Sequence, residues 1–228
     1  VKKINLLFII LLASISASAQ YNYYKFSAGA GLGVTQYFGD LKENPIKKAI
    51  TTSLDYNISP FASAGIEYQF GSITGGDSVS NAHKRYFLNK YSAIIANGKI
   101  QVGQVVDADQ GTILYALRGA YLGTGIGFIS NKMSPVVRVQ PGTGYVFPGE
   151  DKSSNLLIPA NIGVNFDIPD QWGFTRYRVN LNYQFNVTFG EGLDGYNDPP
   201  IKFKNNNPDM YGFASVSVKI CFGPEGLY

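Results

Sequence analysis

Residues 176–190, RYRVNLNYQFNVTFG, decide how this chain is read. Tyr177, Val179, Leu181, Tyr183, Phe185, Val187 and Phe189 occupy the odd positions. Arg176, Arg178, Asn180, Asn182, Gln184, Asn186 and Thr188 fill the even ones. A period of two sends one set to each face of a β-strand. The segment also outruns the roughly five or six residues of an ordinary strand. A soluble sandwich turns such an apolar face inward. A membrane barrel turns it outward to lipid and keeps the amides and guanidinium groups inside. The neighbouring segments choose between these two.

Working outward, seven further segments alternate in the same way: 25–38, 50–58, 61–73, 86–105, 112–129, 156–168 and 210–222. In the first, Phe26, Ala28, Ala30, Leu32 and Val34 oppose Ser27, Gly29, Gly31, Gly33 and Thr35. Glycines along one face let neighbours approach closely. The GAGLG run lacks the following helix that a phosphate-binding loop requires. In 112–129 the phase conflicts, because an inward Arg118 puts Tyr115, Leu117 and Tyr121 outside, whereas Leu122, Ile126 and Phe128 take that role later. A bulge among the glycines at 119–127 reconciles them.

The connections alternate in length: long at 39–49, 74–85, 130–154 and 191–209, short at 59–60, 106–111 and 169–175. Short turns on one rim and long loops on the other is the plan of an outer-membrane barrel. The fold class is therefore all-β, an eight-stranded antiparallel up-and-down transmembrane β-barrel with short periplasmic turns and long extracellular loops. Both termini fall on the short-turn side. A hairpin is expected within 136–146. Eight strands leave an interior that side chains fill, so no open pore is expected. The inward candidates are Lys25, Asp55, Glu67, Lys99, Arg118, Asp167, Arg176, Arg178 and Lys219, and their mixed signs suit an internal ion-pair network.

Composition agrees. Tyr 16, Phe 15 and Gly 26 accompany 45% hydrophobic residues, yet mean hydropathy is only −0.04, the profile of alternating strands. Lys2 and Lys3, the apolar run 6–12 and Ala17-Ser18-Ala19 form a signal-peptide pattern, so 1–19 are expected to be removed and 20–228 to be the barrel domain. The net charge of +3 does not argue for nucleic acid. Cys221 is the single cysteine, which excludes an internal disulfide. Trp172, in the last short turn, is expected to anchor at the membrane interface.

Several candidates for chemistry have a plainer reading. His83 is the only histidine and lies near Asp77, Ser78 and Ser80; a hydrolase would need a serine, this histidine and an orienting group brought together. A lone loop histidine is more often solvated. Glu191, Asp194 and Asp198 offer oxygen ligands for calcium but lack the regular spacing of a calcium loop.

The glycine-rich first strand ending Tyr37-Phe38-Gly39-Asp40-Leu41, and YQFNVTFGEGLD at 183–194, resemble segments of the small eight-stranded outer-membrane β-barrels of Gram-negative bacteria, OmpA-like in architecture. The resemblance implies a cell outer-membrane location. Some relatives are linked to secretion or gliding machinery, including type IX secretion, and others have no assigned role. Assembly signals of these barrels end on an aromatic residue. Here Phe222 is followed by GPEGLY, so either Phe222 closes the last strand ahead of a short tail or Tyr228 is the terminal aromatic.

The function expected is that of a non-enzymatic outer-membrane β-barrel with a structural or interaction role carried by its extracellular loops, chiefly 130–154 and 191–209. One alternative is an accessory subunit of an outer-membrane secretion or uptake complex. Another is a lipid-modifying enzyme or small-ligand carrier using His83 or an inner cavity. No catalytic, cofactor-binding or metal-binding residue is assigned. The partners expected are outer-membrane lipid and other outer-membrane or periplasmic proteins.

Overall fold

The computed structural model describes residues 22–39, 41, 43–79, 84–106, 115, 117–190, 192–197 and 209–227. The expected signal peptide and His83 lie outside them. Eight antiparallel strands close into one barrel in sequence order: β1 (Asn22–Phe38), β2 (Lys47–Ser59), β3 (Ala62–Gly76), β4 (Tyr86–Gln101), β5 (Ala120–Val137), β6 (Lys152–Pro169), β7 (Thr175–Phe189) and β8 (Met210–Leu227). No helix among the described residues is long and apolar enough to cross a membrane. Crossing falls to the strands.

The alternation of 176–190 orders its two faces as expected. Arg178, Asn180, Asn182, Gln184, Asn186 and Thr188 are buried, whereas Tyr177, Leu181, Tyr183 and Phe189 are exposed. The other strands repeat this, with Leu32, Leu54, Ile66, Ile94, Leu122, Ile162 and Val218 outward. The barrel is thus polar within and apolar without, the reverse of a soluble protein, and a bilayer is the solvent that suits it. Aromatic residues collect at both margins of the apolar belt. Phe26 meets Tyr56 and Phe222 toward the short-turn end, with centroids 5.5 and 6.2 Å away. Phe38 meets Phe185 at 5.9 Å, and Tyr68 meets Phe70 at 6.0 Å, toward the other end.

Three expectations need correction. The strand expected over 112–129 begins only at Ala120 and runs on to Val137. Arg118 and Gly119 form a turn, with the Arg118 guanidinium 3.9 Å from the centre of the Tyr115 ring. Removing Tyr115, Leu117 and Arg118 from the strand removes the phase conflict, and β5 pairs with β4 in one register from Tyr121 to Met133 with no bulge at the glycines. The register shifts sit near strand ends instead, at Tyr24/Phe26, Asn57/Ser59, Phe87/Asn89 and Ile168/Pro169. Second, β4 stops at Gln101 and a 3₁₀ turn follows over Val102–Gln104, so the connection expected to be short spans 102–119. The alternation of loop lengths fails at that one place. Third, β8 does not end at Phe222. It continues to Leu227, and Glu225, Gly226 and Leu227 pair with Tyr24, Tyr23 and Asn22.

The hairpin expected in the longest connection is present: Val139 and Val146 bridge, and the Gln140 N–H donates to the Tyr145 carbonyl at 2.8 Å.

The facing of β7 can be checked by exchange. Leu181→Arg puts a cation into the apolar belt and should lower stability by about 2–4 kcal/mol. Asn182→Ala removes the acceptor of the Tyr121 hydroxyl, 2.8 Å away, and should cost about 1 kcal/mol. Urea unfolding in lipid vesicles measures both, and equal losses would mean that the strand faces the other way.

Candidate functional site: the lumen and the loop rim

A small barrel must fill its own interior, and this one does so in two layers. Toward the short-turn end the lumen is ionic. Asp55, Glu67 and Asp167 face Lys99, Arg178 and Lys219, so the acids and bases balance. Lys219 Nζ lies 2.5 Å from Asp55 Oδ2, Lys99 Nζ 3.8 Å from Glu67 Oε2, and Arg178 Nε 2.6 Å from Asp167 Oδ1. Glu67 also accepts from Thr51, Gln69 and Asn97. Balance is required here, because an unpaired charge in so dry a space costs several kcal/mol. Of the other inward candidates, Arg176 lies at the rim over the Tyr24 ring, 5.2 Å away. Lys25 sits at the β1 bulge, partly exposed, and Arg118 precedes β5; neither belongs to the network.

The glycine face of β1 has a specific purpose. Gly29 lies between Lys219 on β8 and Ser53 on β2. A Cβ on Gly29 would stand 2.6 Å from Lys219 Cγ. The missing side chain is what lets Lys219 cross β1 and reach Asp55 two strands away. A Cβ on Gly65, on β3, would stand 2.5 Å from Asp55 Oδ1, so that neighbour must be bare as well. One polar space in this layer, about 10 Å³ and lined by Glu67, Lys99 and Lys219, has room for about one water.

Toward the long-loop end the filling turns aromatic. Tyr37, Phe87, Tyr91, Tyr211 and Phe213 are fully buried or nearly so, with Tyr37 and Phe87 edge to face at 5.0 Å. The boundary between the layers is an amide pair, Gln69 with Gln184, capped by the Tyr211 hydroxyl at 3.2 Å from Gln69 Oε1.

Above this, residues 192–197 fold back into the mouth. Leu193 and Tyr196 are buried. Asn89 donates to the Leu193 carbonyl at 2.9 Å, and Ser153 to the Gly192 carbonyl at 2.9 Å. The Tyr37 hydroxyl lies 3.1 Å from both Asp194 and Asp209. Asp194 also accepts from the Tyr196 N–H at 2.9 Å, and Asp209 from the Leu193 N–H at 3.1 Å. Asp194 therefore points into the barrel as a brace of its own loop. Glu191 and Asp198, the other oxygen donors considered for calcium, lie outside the described residues. Burial pushes the Tyr196 phenol up to about 12, so it keeps its proton and donates to the Val137 carbonyl at 2.6 Å.

The hairpin stands on this plug. Phe147 is buried beneath the Arg85 guanidinium, 4.6 Å from the ring centre, and edge to face with Tyr145 and Tyr196. Arg138 bonds Asp151 at 2.6 Å and the Gly195 carbonyl at 3.1 Å. Val139 and Val146 remain exposed. Sequence reading missed Phe147 and Arg85 as anchors, because neither lies in an alternating segment. A concavity of about 860 Å³ lies on the outer wall around Leu32, Val34, Leu181 and Val216, an apolar surface of the kind a barrel turns to lipid. Cys221 is buried on β8 beside Ser27.

No family model and no curated protein matches the sequence. Among solved structures, the chain is similar to Neisserial surface protein A, with a TM-score of 0.50 and 13% identity over 90% of this chain and all of that one. It is also similar to Ail of Yersinia pestis, at 0.44 and 11% over 90% of this chain and all of that one. The N-terminal barrel domain of Pseudomonas aeruginosa OprF follows at 0.33 and 8%, over 86% of this chain and 98% of that one. At such identity the likeness to the Neisserial protein speaks for the fold alone. The chain is an eight-stranded barrel of the small outer-membrane type.

The ionic layer predicts an asymmetric mutant cycle. Asp55→Asn leaves Lys219 buried without its carboxylate and should cost about 3–5 kcal/mol. The double variant Asp55→Asn, Lys219→Met should recover most of that loss. Additive losses in a double-mutant cycle would show that the pair is not coupled.

Proposed function

We propose that this protein is a non-enzymatic outer-membrane barrel that acts by presenting its extracellular loops, above all the hairpin 139–146, to a partner outside the cell. The observation that carries this reading is the anchored hairpin over a lumen that side chains fill among the described residues. A filled interior supports no flow of solute, so the parts left to act are the wall and the loop rim. Of the rim, 139–146 is both projecting and rigidly held. It is tied through Phe147, Arg85, Arg138 and the plug, with Val139 and Val146 turned to solvent. A loop held in one conformation binds with less ordering cost than a mobile one. The expected removal of 1–19 at export, with the mature chain starting at Gln20, belongs to the same proposal.

Three measurements test it. Thr143, exposed at the hairpin tip, is replaced by Cys, and intact cells are treated with a membrane-impermeant maleimide. Labelling is expected, and its absence would place the long loops on the periplasmic side. Purified protein in planar bilayers should show no stable conductance, and a steady open channel would overturn the filled lumen. His83→Ala should leave lipid composition of the outer membrane unchanged. A changed lipid profile in that variant would favour an enzyme.

A further inference from the structure

Beyond the apolar belt, toward the long loops, the outward faces of β4, β5 and β6 carry a pattern that barrel closure does not require. Lys90 stands directly opposite Lys132, and Lys132 opposite Lys152. Two residues nearer the midplane, Ser92 stands opposite Ser130, and Ser130 opposite Ser154. The next row is Ile94, Phe128 and Leu156. Each strand thus reads lysine, serine, apolar from the rim toward the belt, although β5 runs opposite to its neighbours. All three lysines are exposed, and Ser130 and Ser154 with them.

Three like charges in register is an unfavourable arrangement. Directly opposed residues have Cβ atoms about 4.5–5.5 Å apart, and like charges there repel. None of the three lysines makes an ion pair among the described residues. Asp151, next to Lys152 in sequence, is taken by Arg138. A single lysine at a membrane margin is explained by its long stem lying on apolar surface with the ammonium in water. Edge lysines in open sheets are explained by the need to block pairing, but a closed barrel has no edge. Neither reason calls for three lysines abreast.

An anion with several oxygens does. We propose that this grid docks the phosphorylated headgroup of an outer-leaflet lipid: the ammonium groups of Lys90, Lys132 and Lys152 meet phosphate oxygens, the serine hydroxyls donate beneath them, and the acyl chains run down over Ile94, Phe128 and Leu156. Lysine binds phosphate as a point charge, without the planar fit that arginine imposes. Rows two residues apart lie about 6.6 Å from one another along a strand, so charge, hydroxyl and hydrocarbon follow in the order of a lipid seen from its head. That order selects a lipid over free phosphate. The site rests on the reading that the long-loop rim faces the outer leaflet, which Thr143→Cys labelling reports separately.

The test uses the full mature chain folded in a neutral detergent, with folding checked by its shift on unheated gels. Lipid A bearing two phosphates is titrated, with the same lipid dephosphorylated and inorganic phosphate as comparison probes. Each lysine near an anionic lipid is worth a factor of about five. The triple variant K90Q/K132Q/K152Q should therefore bind the phosphorylated lipid at least about tenfold more weakly. A triple Lys→Arg variant should stay close to the wild type, and added salt should weaken the wild type. Lys48→Gln, outward at the rim on β2, should change little. If the triple variant fails to fold, Lys132→Gln alone should show about a fivefold loss. Equal binding by the triple variant, equal binding of dephosphorylated lipid, or an equal loss from Lys48→Gln would overturn the proposal. Inorganic phosphate binding as tightly as the lipid would show a free-phosphate site and overturn the lipid assignment. Failure of the labelling with the tenfold loss intact would instead overturn the orientation alone.

Discussion

The constraint on which everything else depends is the pairing of the last strand with the first. Hydrocarbon offers no partner to a backbone N–H or C=O, and an unpaired one costs several kcal/mol. A sheet in a bilayer must therefore close on itself. Here β1 and β8 pair from Phe38 and Met210 down to Asn22 and Leu227, across one bulge. The strand continues past Phe222 through Gly223, Pro224 and Gly226, residues that normally end strands, and pairs Glu225, Gly226 and Leu227 with Tyr24, Tyr23 and Asn22.

Closure with only eight strands then dictates the interior. The lumen is narrow enough that side chains must interdigitate across it. Bulky residues on every inward position would not fit, so glycines stand where a long side chain from a neighbour passes. Gly29 beneath Lys219 and Gly65 beside Asp55 are the clearest cases. The charges that fill the rest come in equal numbers of each sign, because the space has too little water to solvate an excess. A filled ionic layer and an aromatic layer above it leave the mouth to be covered by the chain's own loop. The plug is thus a consequence of size as much as a separate device.

The legible part of this structure was its apolar belt. Where outward residues meet lipid, hydropathy and side alternate together, and 176–190 or 156–168 show their facing directly. Beyond the belt the rule loses its contrast. In 130–134 the strand still alternates, with Asn131 and Met133 inside and Ser130, Lys132 and Ser134 outside. The outward set now faces water and headgroups, so it is polar, and the segment reads as a loop. The same happens at 152–155. Tyr115, Leu117 and Arg118 misled in the other direction, since apolar residues just ahead of β5 resemble a strand. The anchors of the rim, Phe147, Arg85 and Arg138, depend on contacts between distant loops and leave no local signature.

The strands that were read short are also the ones that give the rim its character. β3 runs on past its last pair with β2, Ala49 with Gly71, and stays paired with β4 up to Gly76 and Tyr86. β5 follows to Val137. The wall is therefore taller on the side of β3 to β5 than on the side of β1 and β2. Height beyond the belt has no use in closing the backbone against hydrocarbon, since water would satisfy those groups. It does two other things. It carries the 139–146 hairpin away from the membrane on a paired stem. It also gives outward positions that are neither buried in lipid nor free in solution, at the depth where headgroups lie. Lys90, Lys132 and Lys152 occupy those positions and no others. On a wall that ended at the belt, the same three lysines would fall in loops, where nothing would hold them in one row.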